Sequence, residues 1–151
     1  MSTLYHSTTN VKVKKVLQVF DHCSIFVLIL GTYTPFCLVT LRSTAGYLLF
    51  GMNALLTIIG LTLNIINVKK YHKLSLVFYL LMGWSIVFAI KPAMASIPFR
   101  GLMMLLAGGL SYTFGVIFYK AEKMKFSHVI WHFFVLAGSI LHFLCIYSYV
   151  I

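Results

Sequence analysis

Residues 126–151 read FSHVIWHFFVLAGSILHFLCIYSYVI, and none of the 26 is Asp, Glu, Lys or Arg. A helix rises about 1.5 Å per residue, so about 20 apolar residues cross a hydrocarbon layer roughly 30 Å thick. This stretch is long enough to span a membrane. Read outward from it, four more apolar runs appear, at 23–41, 45–68, 74–90 and 101–119, separated by clusters of Lys, Arg and Pro. Five spans use roughly 100 residues and leave about 50 for connections.

The composition points the same way. Of 151 residues, 61% are hydrophobic and 9% are charged, and the mean hydropathy is +0.97. An ordinary soluble domain carries roughly 25% charged residues. Twelve basic and two acidic side chains cannot coat a water-soluble fold of this length. A soluble enzyme, a disordered tail and a nucleic-acid-binding module are excluded, despite a net charge of +10. The fold class is an all-α polytopic membrane protein, one domain over 1–151 with five transmembrane helices. No low-complexity tract or clear internal repeat is present. Residues 1–20 carry Lys12, Lys14 and Lys15 but no apolar stretch of a secretory signal. Cys23, Cys37 and Cys145 sit in apolar surroundings without metal-site spacing and read as membrane-core residues.

Basic residues orient the spans. Lys12, Lys14, Lys15, Lys69, Lys70, Lys73, Lys120, Lys123 and Lys125 fall on one side, and Arg42, Lys91 and Arg100 on the other. Short loops rich in Lys and Arg stay cytoplasmic. The nine-lysine side is expected in the cytoplasm and the C-terminus outside, in a multi-pass protein of the cell's inner membrane. Topology explains this charge better than a nucleic-acid or dedicated lipid-binding patch does.

Three patterns mark helix faces that meet other helices. Asn53, Thr57, Gly60, Asn64 and Asn67 advance by +4, +3, +4 and +3 along one face. Ala107, Ser111 and Gly115 form a small-xxx-small ladder that permits close backbone approach. Pro35, after Gly31-Thr32-Tyr33-Thr34, removes a backbone hydrogen bond and is expected to kink its helix. Packing accounts for all three without any chemistry.

Chemistry rests on fewer residues. Asp21 and Glu122 are the only acids. Glu122 lies among lysines and reads as solvated, whereas Asp21 opens the first span, where an ionisable group faces a partner or a wet cavity. Of six histidines, His128 and His132 stand at i, i+4 on one helix face, a spacing that chelates one metal ion. Interfacial histidines also cap helices and touch head groups, so this pair alone decides little. His6 and Asp21 belong at the same membrane level, and three histidines plus a water form a common catalytic zinc set. A carboxylate bonded to that water takes its proton. His142 lies ten residues beyond His132, about 15 Å deeper, and reads as polar packing within the bundle. His22 is about 100° around the helix from Asp21, so one of the two is expected to face the site. His72 sits among Lys69, Lys70 and Lys73 and reads as solvated.

These residues carry a resemblance. Ser2-Thr-Leu-Tyr-His6, Asp21-His22, Gly31-Thr-Tyr-Thr-Pro35, Tyr79 through Gly83-Trp84, Gly108-Gly-Leu-Ser-Tyr112 with Gly115 and Tyr119, and His128-Val-Ile-Trp-His132 run nearly end to end. Together they resemble the hemolysin III family, the bacterial branch of the progestin and adipoQ receptor (PAQR) superfamily. The resemblance implies a seven-helix bundle with a cytoplasmic N-terminus, an outside C-terminus and a Zn2+ ion near the cytoplasmic face. By position it implies the ligands His6, His128 and His132, Asp21 reaching the zinc through water, and Ser2 as a further catalytic polar group. It departs in one respect: the chain starts where the family's second helix is ending, so the first helix and most of the second are expected to be missing. The family's eukaryotic relatives resemble ceramidases. The implied function is a zinc-dependent intramembrane hydrolase of a lipid amide or ester, with membrane lipids as partners and no nucleic acid. Two alternatives stand beside it. One is a pore-forming cytolysin, although the spans lack a ring of charge or a continuous amphipathic pore face. The other is a receptor-like regulator with structural zinc. The oligomeric state is left open.

Overall fold

The computed structural model describes residues 7, 9–121 and 124–150. All regular structure among them is helical. Helix α1 is Val11–Pro35, capped by Asn10, whose side chain accepts from the backbone N–H of Lys12 and Val13. Past Pro35 the backbone widens into a π-helical segment, Phe36–Thr40. Proline has no N–H to give and crowds the preceding turn, so the loosening falls where the kink is expected. Helix α2 is Thr44–Trp84, followed by a 3-10 turn, Ser85–Ala89, and a short α3, Ile90–Ser96. Helix α4 is Phe99–Lys120 and α5 is Ser127–Tyr149.

Among the described residues, four continuous helical stretches are long and apolar enough to cross a membrane, and one of them, Thr44–Ser96, has 53 residues. At 1.5 Å per residue a straight rod of that length would be about 80 Å, far beyond a bilayer. It does not run straight. Asn67 leaves the helical region, with φ −162° and ψ 89°. Its side chain accepts from Lys70 N–H at 3.0 Å, which makes Asn67 the cap of a new helix. Ser75 Oγ then donates to Asn64 Oδ1 at 3.1 Å, and Asn53 Nδ2 donates to Ser85 Oγ at 2.9 Å. Ten residues forward on one arm match eleven backward on the other, so the arms are antiparallel. Two of the five spans are thus joined without the loop expected at 69–73, and α1 starts twelve residues before the expected 23.

The polar face of the first arm is what closes this hairpin. Asn53, Thr57, Gly60 and Asn64 are all buried, and Asn67, the fifth of the series, is the break itself. Gly60 admits the ring of Phe26 from α1, which is fully buried and lies 4.6 Å from the Tyr79 ring of the second arm. Tyr79 Oη donates to the His22 carbonyl at 2.8 Å, and Tyr33 Oη donates to the Gly83 carbonyl at 2.9 Å. These bonds set α1 alongside the second arm.

Helices α4 and α5 form the second hairpin. Cys145 Sγ donates to the Gly101 carbonyl, Ser111 Oγ to the Phe134 carbonyl, and Tyr112 bonds Ser139 at 2.9 Å. The close-packed face is Gly101, Gly108 and Gly115, all buried, with Ser111 beside them. Ala107 of the expected ladder is exposed, which corrects the register. Trp84 Nε1 donates to Thr113 Oγ1 and joins the hairpins. Cys23, Cys37 and Cys145 are free thiols, the last two fully buried.

The outer surface is apolar. Ile58, Ile65, Phe133 and Phe143 are each more than 60% exposed and belong to a belt of such residues over every helix. Water does not tolerate a surface of this kind, and lipid does. The antiparallel order gathers Lys12, Lys14, Lys15, Lys69, Lys70, Lys73, Lys120 and Lys125 at one end, and Arg42, Lys91 and Arg100 at the other.

Candidate metal centre

Helix α5 begins after Phe126, which adopts a left-handed conformation at φ 66°. That conformation costs a bulky residue about 1–3 kcal/mol, and it turns the chain so that Ser127, the first helical residue, is buried and His128 follows it in the first turn. His128 and His132 follow at one-turn spacing, with ring centroids 4.7 Å apart and planes at 89°. Their Nε2 atoms face each other at 3.1 Å. Two imidazoles on one tetrahedral zinc, at Zn–N of about 2.0–2.1 Å, hold their nitrogens about 3.3 Å apart. The pair is therefore close to the separation a shared ion requires.

Both rings open into a cavity of about 810 Å³ between α1, the second arm of α2, α4 and α5. Its lysine-rich end holds Asp21, His22, Lys69, His72, His128 and His132. Its far end reaches Thr32, Trp84, Tyr112, Thr113 and His142. Along α1 the wall extends from Gln18 to Tyr33, about 22 Å. This is within the usual size of a small-molecule site.

Asp21 sits in the third turn of α1, rather than at its start, and shares the cavity with the histidine pair. His22 lines it as well, so both members of Asp21-His22 face the site, against the expectation of one. Its Nδ1 bonds the Gln18 carbonyl at 2.9 Å, which tilts the ring back along α1. His72 is half-buried and lines the same end, where solvation was expected; Nδ1 bonds the Lys69 carbonyl at 3.0 Å. The turn that Asn67 caps carries His72 to the cavity wall, and its position relative to α1 is a tertiary fact that no local spacing carries. Ser2, His6 and Glu122 lie outside the described residues. Among the described residues no three of His, Cys, Asp and Glu stand together as a metal-holding group. The donor set fits zinc through two facing imidazoles, with the third expected ligand, His6, beyond what is described.

Fold and site define a multi-pass, all-α membrane protein with an intramembrane cavity headed by a histidine pair. The profile of the haemolysin-III related family matches residues 1–143, and the chain belongs to that family. It is 45% identical to Hemolysin-3 of Bacillus cereus over 150 residues, 99% of this chain and 68% of that protein. It is also 45% identical to the Hemolysin-3 homolog of Bacillus subtilis (strain 168) over 148 residues, covering 98% and 70%. Human monocyte to macrophage differentiation factor is 38% identical over 85 residues, 54% of this chain and 33% of that protein. No solved structure matches the chain.

Proposed function

We propose that this chain provides the catalytic cavity of a zinc-dependent intramembrane hydrolase acting on a lipid amide or ester. The observation that carries the reading is the facing pair of Nε2 atoms, 3.1 Å apart, in the wall of a cavity that also contains Asp21. His128 and His132 hold the ion, with His6 as third ligand. Bound zinc supplies Lewis acidity and a water of lowered pKa.

The protein's own groups do the rest. The Asp21 carboxylate takes a proton from the attacking water and later returns one to the leaving amine or alcohol. Tyr79 fastens α1 through the His22 carbonyl, one residue from Asp21, and so fixes where that carboxylate stands. The apolar cavity beyond the histidines excludes water and receives the acyl chain, which enters from the bilayer between helices. The lysine-rich end faces the cytoplasm of the inner membrane, as short basic loops do.

The test is hydrolysis of a broad panel of lipid amides and esters by the purified protein, with zinc, after chelation, and after zinc is restored. Zinc-dependent turnover supports the reading. Background-level turnover across the panel in all three states overturns it. The relatives' name supports a second reading, membrane lysis. Lysis that persists when His128 and His132 are both alanine favours a pore over the hydrolase.

A further inference from the structure

We infer that His142 is the acceptor of a second binding position in the cavity, one that takes an O–H or N–H carried in mid-chain by the lipid. This rests on the proposal that the cavity holds a lipid with its head at His128 and His132.

His142 Nε2 lies 3.2 Å from the Leu105 carbonyl. A carbonyl only accepts, so Nε2 carries the proton and Nδ1 carries a lone pair. No described residue donates to Nδ1. The hydroxyl of Tyr112, whose ring packs against His142, is committed elsewhere. Ser139 gives its proton to the Val135 carbonyl, so Tyr112 gives its own to Ser139. The ring itself is fixed: Gly108 leaves just the space it fills, and Tyr112 meets it edge-on at 5.4 Å. His142 lines the cavity.

An oriented acceptor inside a bilayer costs free energy until a donor reaches it. Phe or Leu would fill the same volume without that cost. His142 stands ten residues from His132, about 15 Å along α5. A single extended chain therefore reaches from the histidine pair to His142, and the chemistry selects chains that bear a hydrogen-bond donor at that depth.

The test uses three fatty acids displacing a fluorescent fatty acid from the purified protein in nanodiscs. Oleate is plain; ricinoleate differs from it by one mid-chain hydroxyl; the matching keto acid accepts hydrogen bonds there but donates none. Ricinoleate is expected to bind three- to tenfold tighter than oleate, the worth of about one hydrogen bond. The keto acid is expected to bind like oleate. In His142→Leu the ricinoleate-to-oleate ratio falls to about one. Equal binding of all three acids to the wild type overturns the second position and leaves the lipid cavity standing. Failure of all three to displace the probe removes the lipid cavity, and this inference with it. Since the wild type alone decides between these outcomes, a misfolded variant does not rescue the idea.

Discussion

The ring of Phe26 fills the space that a side chain at Gly60 would occupy. Phe26 belongs to α1 and Gly60 to the first arm of α2, and the same ring lies against Tyr79 of the second arm. Three helices are locked at one point, five residues from Asp21.

Gly60→Ala therefore places a methyl group into an aromatic ring that has nowhere to move. It is expected to cost about 1–3 kcal/mol, as overpacking does. Phe26→Leu in the same chain relieves part of that loss, giving a coupling of about 0.5 kcal/mol or more. Thermal unfolding in detergent of the two single variants and the double variant measures it. Strict additivity would refute the contact.

The hairpin at Asn67 makes a second prediction. Asn64→Leu removes the acceptor of Ser75 Oγ, and Ser75→Ala removes the donor. Bonds of this kind inside membranes are worth about 0.6 kcal/mol on average and about 1.7 at most. Each variant is expected to lose stability in that range, and the pair less than the sum. The same unfolding assay reads the result.

The legibility of this chain was uneven. Period and composition were enough for an all-helical membrane bundle, because hydrophobic length is a local property. The +4, +3 series from Asn53 to Asn64 marked a buried face correctly for the same reason. What local pattern did not carry was the joining of two spans with no loop. Lys69, Lys70 and Lys73 look like a connection, but the break needs only one residue, since Asn67 caps the next helix with its own side chain. In α4 the series Ala107–Ser111–Gly115 competed with Gly101–Gly108–Gly115. Both satisfy helical spacing, and only the partner helix decides between them. The His128/His132 pair was legible from i, i+4 spacing. That His22 and His72 also line the cavity depends on how α1 sits against the second arm, which spacing within one helix does not encode.

Asp21 gives the third prediction. Asp21→Asn keeps the shape of the side chain and removes the proposed base. Hydrolysis is expected to fall about 10²- to 10⁴-fold, the usual contribution of a positioned acid–base group. Zinc content should stay at the wild-type level, because two imidazoles still face each other. Loss of zinc together with activity would give Asp21 a ligand's role instead.

The lysine-rich end gives the fourth. In a background with Cys23, Cys37 and Cys145 replaced, Thr9→Cys reports that end and Ser96→Cys the opposite one; both positions are exposed. A membrane-impermeant maleimide added to intact spheroplasts should label Ser96→Cys and spare Thr9→Cys until the membrane is opened. The reverse pattern contradicts the orientation drawn from basic residues.

Zinc per mole of purified protein, measured on the wild type, His128→Ala and His132→Ala, bears most directly on the shared-ion centre. The wild type is expected to hold about one zinc, and each variant to bind it at least about a hundredfold more weakly while unfolding at a similar temperature, since both rings are exposed. Zinc retained in full by both variants, or no zinc in the wild type after equilibration with the metal, would contradict it.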